Sequence, residues 1–503
     1  MKQPLLVSPL LILFSLLFFQ CGTEPEGENI ISLEDSNWLQ VSGNQMVNQK
    51  GDTVLLRGFG LGGMLHMENF INGYPANEEA MREGLLEVLG QERYDLYFET
   101  VLENYFTEED AKYINSLGLN LARVAINYRL FEDDMNPGVI KMKAFKHLDR
   151  VIELCAKYQI YTIIDLHALP GYQNQHWHSD NPTHKALFWR HKDFQDRALK
   201  LWEVIADRYK NEPWVAGYDL INEPADPTGK KVFPYFKRLR EAIRKVDPNH
   251  ILFLEGNNYA KEFDIFKEEI WDDVVYANHD YAIPGFIDGG DYPGYSRGRY
   301  FTKDSLEADF IKRSQFMFDK NVPLWVGEFG PVYTGDSDKD EMKYHVLKDQ
   351  LDYYDKYNVS WCIWLYKDMG LQAILHQNEE TPYMKLVSDF LVKKDSLGAD
   401  AWGSTDEHIK DVMDPIEALF EGEVFEPHEP YPSGKSGRIR LLVRHILIAE
   451  GLVPYYCNLF KDLTDEELVA LAESFNFKNY VRRERLEDIL TGKEKNEIDR
   501  MNN

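Results

Sequence analysis

The amino-acid sequence predicts an α/β fold, a (β/α)8 TIM barrel in which eight parallel strands alternate with helices. Short apolar segments recur over about 330 residues, and segments with helical periodicity separate them. This strict alternation favours a closed barrel over a doubly wound open sheet. Two of the strands end in a glutamate, Glu223 and Glu328, which indicates that one edge of the barrel carries chemistry.

Turn residues and apolar runs define the predicted elements. A hairpin within residues 39–58 leads into the first strand, because Gly43-Asn44 and Lys50-Gly51-Asp52 have the composition of turns. The predicted strands are 54–59, 120–126, 161–167, 215–222, 251–255, 274–279, 323–328 and 360–366. Predicted helices between them include 108–117, 145–158, 194–209, 235–245, 306–319 and 341–357. The catalytic barrel is therefore expected to span residues 37–396.

The alternation stops after residue 396, and we expect residues 397–503 to form a helical extension. Its predicted helices are 414–421, 438–450, 466–476 and 483–490. Asp414 before Pro415 has the pattern of a helix start, and Thr464 with Glu467 has that of a capping box. Residues 424–432, with their prolines, are predicted to be a linker or a surface strap. Nothing in this extension indicates chemistry, so packing on the barrel and partner binding both stay open.

The amino terminus has the pattern of a targeting segment. Residues 5–19 are mostly apolar, and Cys21-Gly22 follows them. This resembles a bacterial lipoprotein signal peptide over residues 1–21, with Cys21 as the lipidated residue and residues 22–36 as an acidic tether. The expected location is then the bacterial cell envelope, periplasmic or on the outer surface. Plain secretion or an uncleaved anchor is the alternative.

Charge and cysteine content narrow the function classes. The 503 residues have a formal net charge of −28, which argues against binding to nucleic acid or to anionic membranes. We therefore expect membrane association only through a lipid anchor. Cys155 has the position of a core residue and Cys362 lies inside a strand, so neither indicates a disulfide framework. The sequence contains no CxxC pair and no HExxH motif, and we expect no metal site and no cofactor.

Glu223 and Glu328 are candidates for paired carboxylate chemistry. Each follows an apolar strand, and one protonated and one ionised carboxyl can cleave a glycosidic bond together. Either residue alone could be an ordinary polar group where a strand meets a loop. The tripeptide Asn211-Glu212-Pro213 repeats the Asn222-Glu223-Pro224 motif at the end of a predicted helix, so it is the strand context that favours function.

Further polar and aromatic residues gather at the same predicted edge. Each could be structural by itself, but their recurrence at one end of otherwise apolar strands is hard to explain by packing alone. Besides the two glutamates, these residues are Glu68, Arg123, His167, Asn222, His279, Tyr281 and Trp364.

These positions resemble glycoside hydrolase family 5, the cellulase family of the clan A retaining β-glycosidases. The matching motifs are, in order, Arg123, His167, Asn222-Glu223-Pro224, His279-x-Tyr281, Gly327-Glu328-Phe329-Gly330 and Trp364. The resemblance covers residues 37–395 and implies that Glu223 is the acid/base and Glu328 the nucleophile. It also implies that Asn222 holds the sugar 2-hydroxyl and that His167 binds another hydroxyl. Arg123 and Tyr281 would flank the nucleophile, His279 would lie near the acid/base, and Trp364 would lie under the sugar.

A closer resemblance is to the exo-β-1,3-glucanases of this family. Residues 61–68 are similar to their LGGW-x-x-x-E stretch, and residues 165–174 to their DLHxAPGxQN loop. The resemblance implies that Glu68 grips the terminal sugar in a blind pocket. Met64, Asn69 and Leu169 differ from the pattern, which weakens the β-1,3-glucan expectation more than the exo pocket.

The expected activity is retaining, exo-acting hydrolysis of β-glucans or related β-glycosides. Glu328 would attack while ionised, and Glu223 would be protonated at rest in order to release the leaving group. An endo-acting β-glucanase or cellulase, or a β-mannan-active enzyme, is the alternative within the family. A non-catalytic carbohydrate-binding lipoprotein is the alternative of another class, and an esterase is disfavoured because the sequence has no GxSxG motif.

Overall fold

Eight parallel strands close into a barrel in this computed structural model, which describes residues 37–267, 269–400, 402–419 and 439–493. Each strand pairs with its neighbour in chain order, and the last pairs with the first. The strands are β1 Arg57–Leu61, β2 Leu121–Asn127, β3 Tyr161–Ala168, β4 Val215–Asp219, β5 Ile251–Glu255, β6 Val274–His279, β7 Leu324–Phe329 and β8 Ser360–Ile363. The predicted (β/α)8 barrel is confirmed.

The predicted hairpin packs against the amino-terminal end of the barrel. Its strands, Leu39–Ser42 and Gln45–Asn48, pair antiparallel. Leu39 and Met46 are buried in the same cluster as Ile163 and Phe253, which lie on barrel strands. The hairpin therefore covers one end of the barrel interior, and the opposite end, where the strands finish, stays available for a site.

Helices surround the barrel and lie close to the predicted positions. The longer ones are α1 Glu78–Tyr105, α2 Glu108–Ser116, α3 Phe145–Lys157, α4 Lys192–Tyr209, α5 Val232–Ile243, α6 Lys303–Arg313, α7 Gln315–Lys320, α8 Ser337–Lys356 and α9 Pro382–Ser396. Helix α1 was not among the predicted helices. It contains Gly90 at φ 72°, so its apolar positions do not keep one continuous helical period. The predicted helix 306–319 is two helices that meet at Ser314.

The C-terminal extension continues with α10 Lys410–Ala418, α11 Ala449–Cys457, α12 Asp465–Glu473 and α13 Glu484–Thr491. The predicted helix start at Asp414 is wrong, because α10 begins at Lys410 and contains Pro415 in its interior. The predicted capping box of α12 is confirmed, with Thr464 accepting from the Glu467 N–H and Glu467 accepting from the Thr464 N–H.

The described part of the extension packs on the barrel, in the same compact unit. Helices α11 and α12 contact α1, so closely that a Cβ added to Gly84 would lie 2.7 Å from Cys457 Sγ. The strand Tyr480–Arg482 pairs with Leu375–Gln377, which follows β8. The extension therefore rests on the loops and helices around β8 and β1.

Several predictions concern residues outside the described ranges. These are the signal peptide 1–21, lipidation of Cys21, the tether 22–36 and the strap 424–432, and all of them stay predictions. Cys155, Cys362 and Cys457 are free and buried; the predicted core position of Cys155 and the predicted strand position of Cys362 are confirmed. Across the described ranges, each helix is too short or too polar to cross a membrane.

Candidate active site

The two predicted carboxylates meet at the carboxyl-terminal end of the barrel. Glu328 lies on β7, and Glu223 follows β4 by a few residues. One oxygen of each carboxylate and one ring nitrogen of His279 all lie within 4.8 Å of one another. Glu223 has φ 47°, in the left-handed region, and its N–H donates to Glu255 Oε2 at 2.6 Å. The neighbouring strand thus stabilises an unusual backbone conformation that directs Glu223 toward Glu328.

Glu328 is held by two donors. Arg123 Nη1 donates to Glu328 Oε1 at 2.5 Å, and the Tyr281 hydroxyl donates to Oε2 at 2.9 Å. Arg123 lies on β2 and is fully buried, so its permanent charge acts at short range and with little screening. The predicted positions of Arg123 and Tyr281 beside Glu328 agree with these contacts.

Arg123 also contacts three buried carboxylates that the sequence reasoning did not assign. Asp219 accepts from its Nε and Nη2 at 3.0 and 2.9 Å, and Asp165 and Glu255 each lie 3.2 Å from Nη2. Burial and the Glu255 carboxylate raise the pKa of Asp219 to about 8. An acidic residue inside an otherwise apolar strand was the available sequence signal for all three.

Glu223 is held by two histidines. His279 Nδ1 lies 2.7 Å from its Oε1, and His178 Nε2 lies 3.0 Å from its Oε2. Burial by itself raises the pKa of Glu223, but the hydrogen bonds from His178 and His279 outweigh it and hold this pKa well below its ordinary value. The direction is opposite to our expectation that Glu223 is protonated at rest.

His279 is placed to hold the proton that Glu223 lacks. Burial by itself lowers the pKa of this imidazole, but the Glu255 and Glu328 carboxylates outweigh it and raise the pKa well above its ordinary value. His279 Nε2 is 3.1 Å from Glu255, and Nδ1 is 3.5 Å from Glu328 in addition to its contact with Glu223. One imidazolium therefore contacts three carboxylates, and its Nδ1 proton is shared between His279 and Glu223.

The remaining predicted residues are buried together beside this pair, where the family resemblance implies the sugar pocket. The rings of Trp364 and His167 stack with centroids 5.1 Å apart and planes 8° from parallel. His167 Nδ1 contacts Asp165 at 2.7 Å, and its Nε2 faces Asn222 Nδ2 at 3.2 Å and Glu68 at 3.8 Å. Because Asp165 accepts from Nδ1–H, Nε2 is the nitrogen left as acceptor, directed toward Asn222 and Glu68.

Glu68 and His66 are the least satisfied polar groups of this pocket. Among the described residues, Glu68 Oε1 and both ring nitrogens of His66 have no hydrogen-bond partner. Burial, together with the Glu328 and Glu223 charges, raises the pKa of Glu68 well above its ordinary value, so its carboxyl can donate as well as accept. Burial lowers the pKa of His66 to about 3, which keeps it neutral. His66 was not predicted, although it lies in the same motif as Glu68.

The loop between β3 and α4 supports Glu223. Gln173 Nε2 donates to the carbonyls of His167 and Asn222, and Asn174 Nδ2 donates to that of Glu223 at 3.1 Å. Gln173 and Asn174 are fully buried, so they position the backbone of the site. His178, from the same loop, contacts the Glu223 carboxylate.

Two groups in the site have a spacing that could hold a metal ion. They are Glu223, His279 and Glu328, and His66, Glu68 and His167. In the first group, Arg123 and the His279 imidazolium already supply positive charge to the carboxylates. The second group lines the pocket, where its donors and acceptors equally suit sugar hydroxyls.

Comparison with known proteins identifies the family. A family model described as Cellulase (glycosyl hydrolase family 5) matches residues 92–370. The chain belongs to glycosyl hydrolase family 5. It is therefore a glycosidase that hydrolyses O-glycosyl compounds, as the strand-end motifs predicted.

Proteins similar to this chain carry several activities in their names. The chain is 46% identical over 467 residues to "Beta-xylosidase" of Phanerodontia chrysosporium, covering 90% of this chain and 98% of that protein. It is 23% identical over 337 residues to "Endoglucanase C" of Acetivibrio thermocellus, covering 60% and 95%. It is 26% identical over 291 residues to "Probable glucan 1,3-beta-glucosidase A" of Aspergillus fumigatus, covering 56% and 66%. The first alignment is longer than the predicted barrel and so includes part of the C-terminal extension.

Proposed function

We propose that this family 5 enzyme is an exo-acting retaining β-glycosidase that removes one sugar at a time from the non-reducing end. The observation that carries the proposal is the distance of at most 4.8 Å between an oxygen of Glu223 and one of Glu328. Retaining glycosidases have carboxyl groups about 5–5.5 Å apart, whereas inverting ones need about 6.5–9.5 Å to admit a water molecule. The short separation supports a direct attack by one carboxylate.

Glu328 is the nucleophile of this mechanism. Its oxygen bonds to the anomeric carbon while the glycosidic C–O bond breaks, and the leaving oxygen takes a proton from Glu223. Arg123 and Tyr281 hold the Glu328 carboxylate by two hydrogen bonds and aim it until it attacks. Water then attacks the glycosyl-enzyme, Glu223 accepts its proton, and the original configuration returns.

The proton that Glu223 donates is the one shared with His279. The two groups are in hydrogen-bond contact at 2.7 Å, so the proton can pass from Nδ1 to the carboxyl when substrate enters. After Glu328 becomes an ester its negative charge is gone, which lowers the affinity of Glu223 for a proton and favours its role as base. Glu223 therefore acts as the acid through a shared proton.

The proposed substrate is a β-xyloside, with a β-glucoside as the alternative. The xyloside is supported by the relative at 46% identity, whose alignment extends into the C-terminal extension. The glucoside is supported by the two more distant relatives, whose names describe a glucosidase and an endoglucanase. Exo action is supported by Glu68, which is buried and has one carboxyl oxygen without a hydrogen-bond partner in the described part of the chain, free to accept from a sugar hydroxyl.

Product analysis of the purified full chain tests the proposal. Nitrophenyl β-xyloside, β-glucoside and β-mannoside identify the sugar, and matching oligosaccharides identify the mode of attack. We expect monosaccharide alone early in digestion, released first as the β-anomer in proton NMR. A ladder of oligosaccharides would mean an endo enzyme, and an α-anomer would mean inversion. Binding without hydrolysis of any of these substrates would favour the carbohydrate-binding lipoprotein.

A further inference from the structure

The C-terminal extension contributes an aromatic side chain to the active site. Trp402 lies edge-on to Tyr281, with ring centroids 5.2 Å apart and planes at 80°. The Tyr281 hydroxyl in turn donates to Glu328. The indole N–H of Trp402 donates to Gln372 Oε1 at 2.7 Å, and its ring is half-buried. Trp402, a residue outside the predicted barrel, is thus separated from Glu328 only by the side chain of Tyr281.

The neighbours of Trp402 define the side of the site on which it lies. Its ring centroid is 6.2 Å from that of Phe70, which follows Glu68 closely in the chain. Trp402 also packs against the apolar cluster that contains Trp364 and Phe70. Glu223, by contrast, contacts His178 from the loop after β3. Trp402 therefore lies beside Tyr281 and the cluster that contains Phe70 and Trp364, whereas the loop after β3 contacts Glu223.

Arg444 holds the turn that carries Trp402. This buried side chain, from the short π-helix Val443–Ile448, donates through Nη2 to the carbonyls of Asp400 and Ser404 at 3.0 and 2.8 Å. Its Nε donates to the carbonyl of Gly398. Three carbonyls on both sides of Trp402 thus share one guanidinium, which limits the movement of the turn.

Lys394 ties the same turn to the segment after β1. Its buried Nζ lies 3.2 Å from the carbonyl of Asn69 and 3.4 Å from Asp400 Oδ2. Asp400 also accepts from the N–H of Trp402 at 3.0 Å. Because Asn69 is adjacent to Glu68, the extension and the predicted sugar-gripping residue are connected through one lysine.

The residue after Arg444 contacts the opposite loop. The ring of His445 lies 3.7 Å from that of Trp177, centroid to centroid, and its Nδ1 is 3.3 Å from His184 Nε2. This loop, between β3 and α4, also supplies His178 to Glu223. The adjacent residues Arg444 and His445 therefore contact both the turn that carries Trp402 and the loop that carries His178.

We propose that Trp402 is the wall that ends the sugar pocket, and that Arg444 is a positioning residue that keeps this wall in place. The inference rests on the proposed exo action and assigns its structural cause to the extension. A second sugar beyond the terminal one would have to occupy the volume of the indole ring. The wall therefore excludes chains that continue past the terminal sugar, and it determines specificity without touching the scissile bond.

The experiment compares an aryl β-glycoside of one sugar with that of the matching disaccharide. The measured quantity is the ratio of kcat/KM for direct release of nitrophenol, disaccharide over monosaccharide. The wild type should release almost no nitrophenol directly from the aryl disaccharide, because it must first remove the terminal sugar. Trp402→Ala opens room for one more ring and should raise the ratio about tenfold or more. Intact disaccharide should then appear among the products.

Two further variants and a control make the test specific. Trp402→Phe retains a bulky ring and should keep the ratio near that of the wild type, whereas Arg444→Gln should raise it about threefold by loosening the turn. Tyr455→Ala removes an exposed aromatic of α11 and should change nothing. If Trp402→Ala does not fold, as judged by its thermal melt, Trp402→Leu and Arg444→Gln still decide the question.

The outcomes separate this inference from the proposed function. If the wild type itself releases intact disaccharide, both the proposed exo action and the proposed role of Trp402 are refuted. If the wild type is exo-acting but the ratio is unchanged in Trp402→Ala and Arg444→Gln, only the proposed role of Trp402 is refuted. A large loss on the monosaccharide substrate at an unchanged ratio also overturns the proposal, because Trp402 would then only support Tyr281.

Discussion

Glu328 and Glu223 lie a few ångströms apart, yet their surroundings differ in kind. Glu328 contacts the guanidinium of Arg123, whose charge is permanent, and the neutral phenol of Tyr281. Glu223 contacts two imidazoles, His178 and His279, which can gain or lose a proton. A permanent charge suits a group that must stay ionised, and a titratable partner suits one that must alternate between acid and base.

Position in the barrel alone therefore does not assign the two roles. Both glutamates belong to strand ends, and both are buried or nearly so. The partners that distinguish them come from other strands and from the loop after β3. Altering each glutamate, and then a partner of one of them, tests whether this division of roles holds.

The largest effect should come from Glu328→Gln. The amide cannot form the glycosyl-enzyme, so kcat/KM should fall by roughly 10⁴-fold or more on every substrate, activated or not. Steady-state kinetics with a dinitrophenyl and a nitrophenyl glycoside check this. Glu380→Gln, at a highly exposed glutamate, is the matched control and should behave as wild type. Substantial activity of Glu328→Gln on the activated substrate would end the nucleophile assignment.

Glu223→Ala should be selective in its effect. Hydrolysis of unactivated glycosides should fall by roughly 10²–10⁴-fold, whereas dinitrophenyl glycosides still form the glycosyl-enzyme because their leaving group needs no proton. Added azide should then speed turnover and give a β-glycosyl azide, identified by NMR. An α-glycosyl azide from this variant, or rescue only in a Glu328→Gly enzyme with a β-product, would mean that the two roles are reversed.

The smallest effect is expected from His178→Gln, read from the pH profile. A hydrogen bond from His178 favours the ionised form of Glu223 and lowers its pKa, so its loss should raise that pKa. The proton shared by His279 and Glu223 then resides more on Glu223, the protonated pair persists to higher pH, and the alkaline limb of kcat/KM should move upward by up to about one pH unit. His345→Gln, on the half-exposed side of α8, is the control. An unchanged limb, or one displaced to lower pH, would refute the role of His178.

The barrel and its catalytic edge were predictable because they depend on local patterns. Apolar strands alternating with amphipathic segments determine the closed sheet, and residues that interrupt an apolar strand at its carboxyl end must gather at one edge. Arg123, His279, Glu223 and Glu328 were found in this way. The kink at Gly90 hid helix α1, and the start of α10 was misplaced because Pro415 is tolerated inside a helix there.

Charge states and the role of the extension were decided only by tertiary structure. The family resemblance placed His279 near Glu223, but only the folded chain adds His178 from a distant loop, and the two imidazoles together lower the pKa of Glu223, opposite to the expected direction. Likewise, Trp402 and Arg444 follow the barrel in the chain, and no local pattern connects them with Tyr281. Local sequence determines which elements form, whereas a pKa and the end of a pocket depend on groups distant in the chain that only packing brings together.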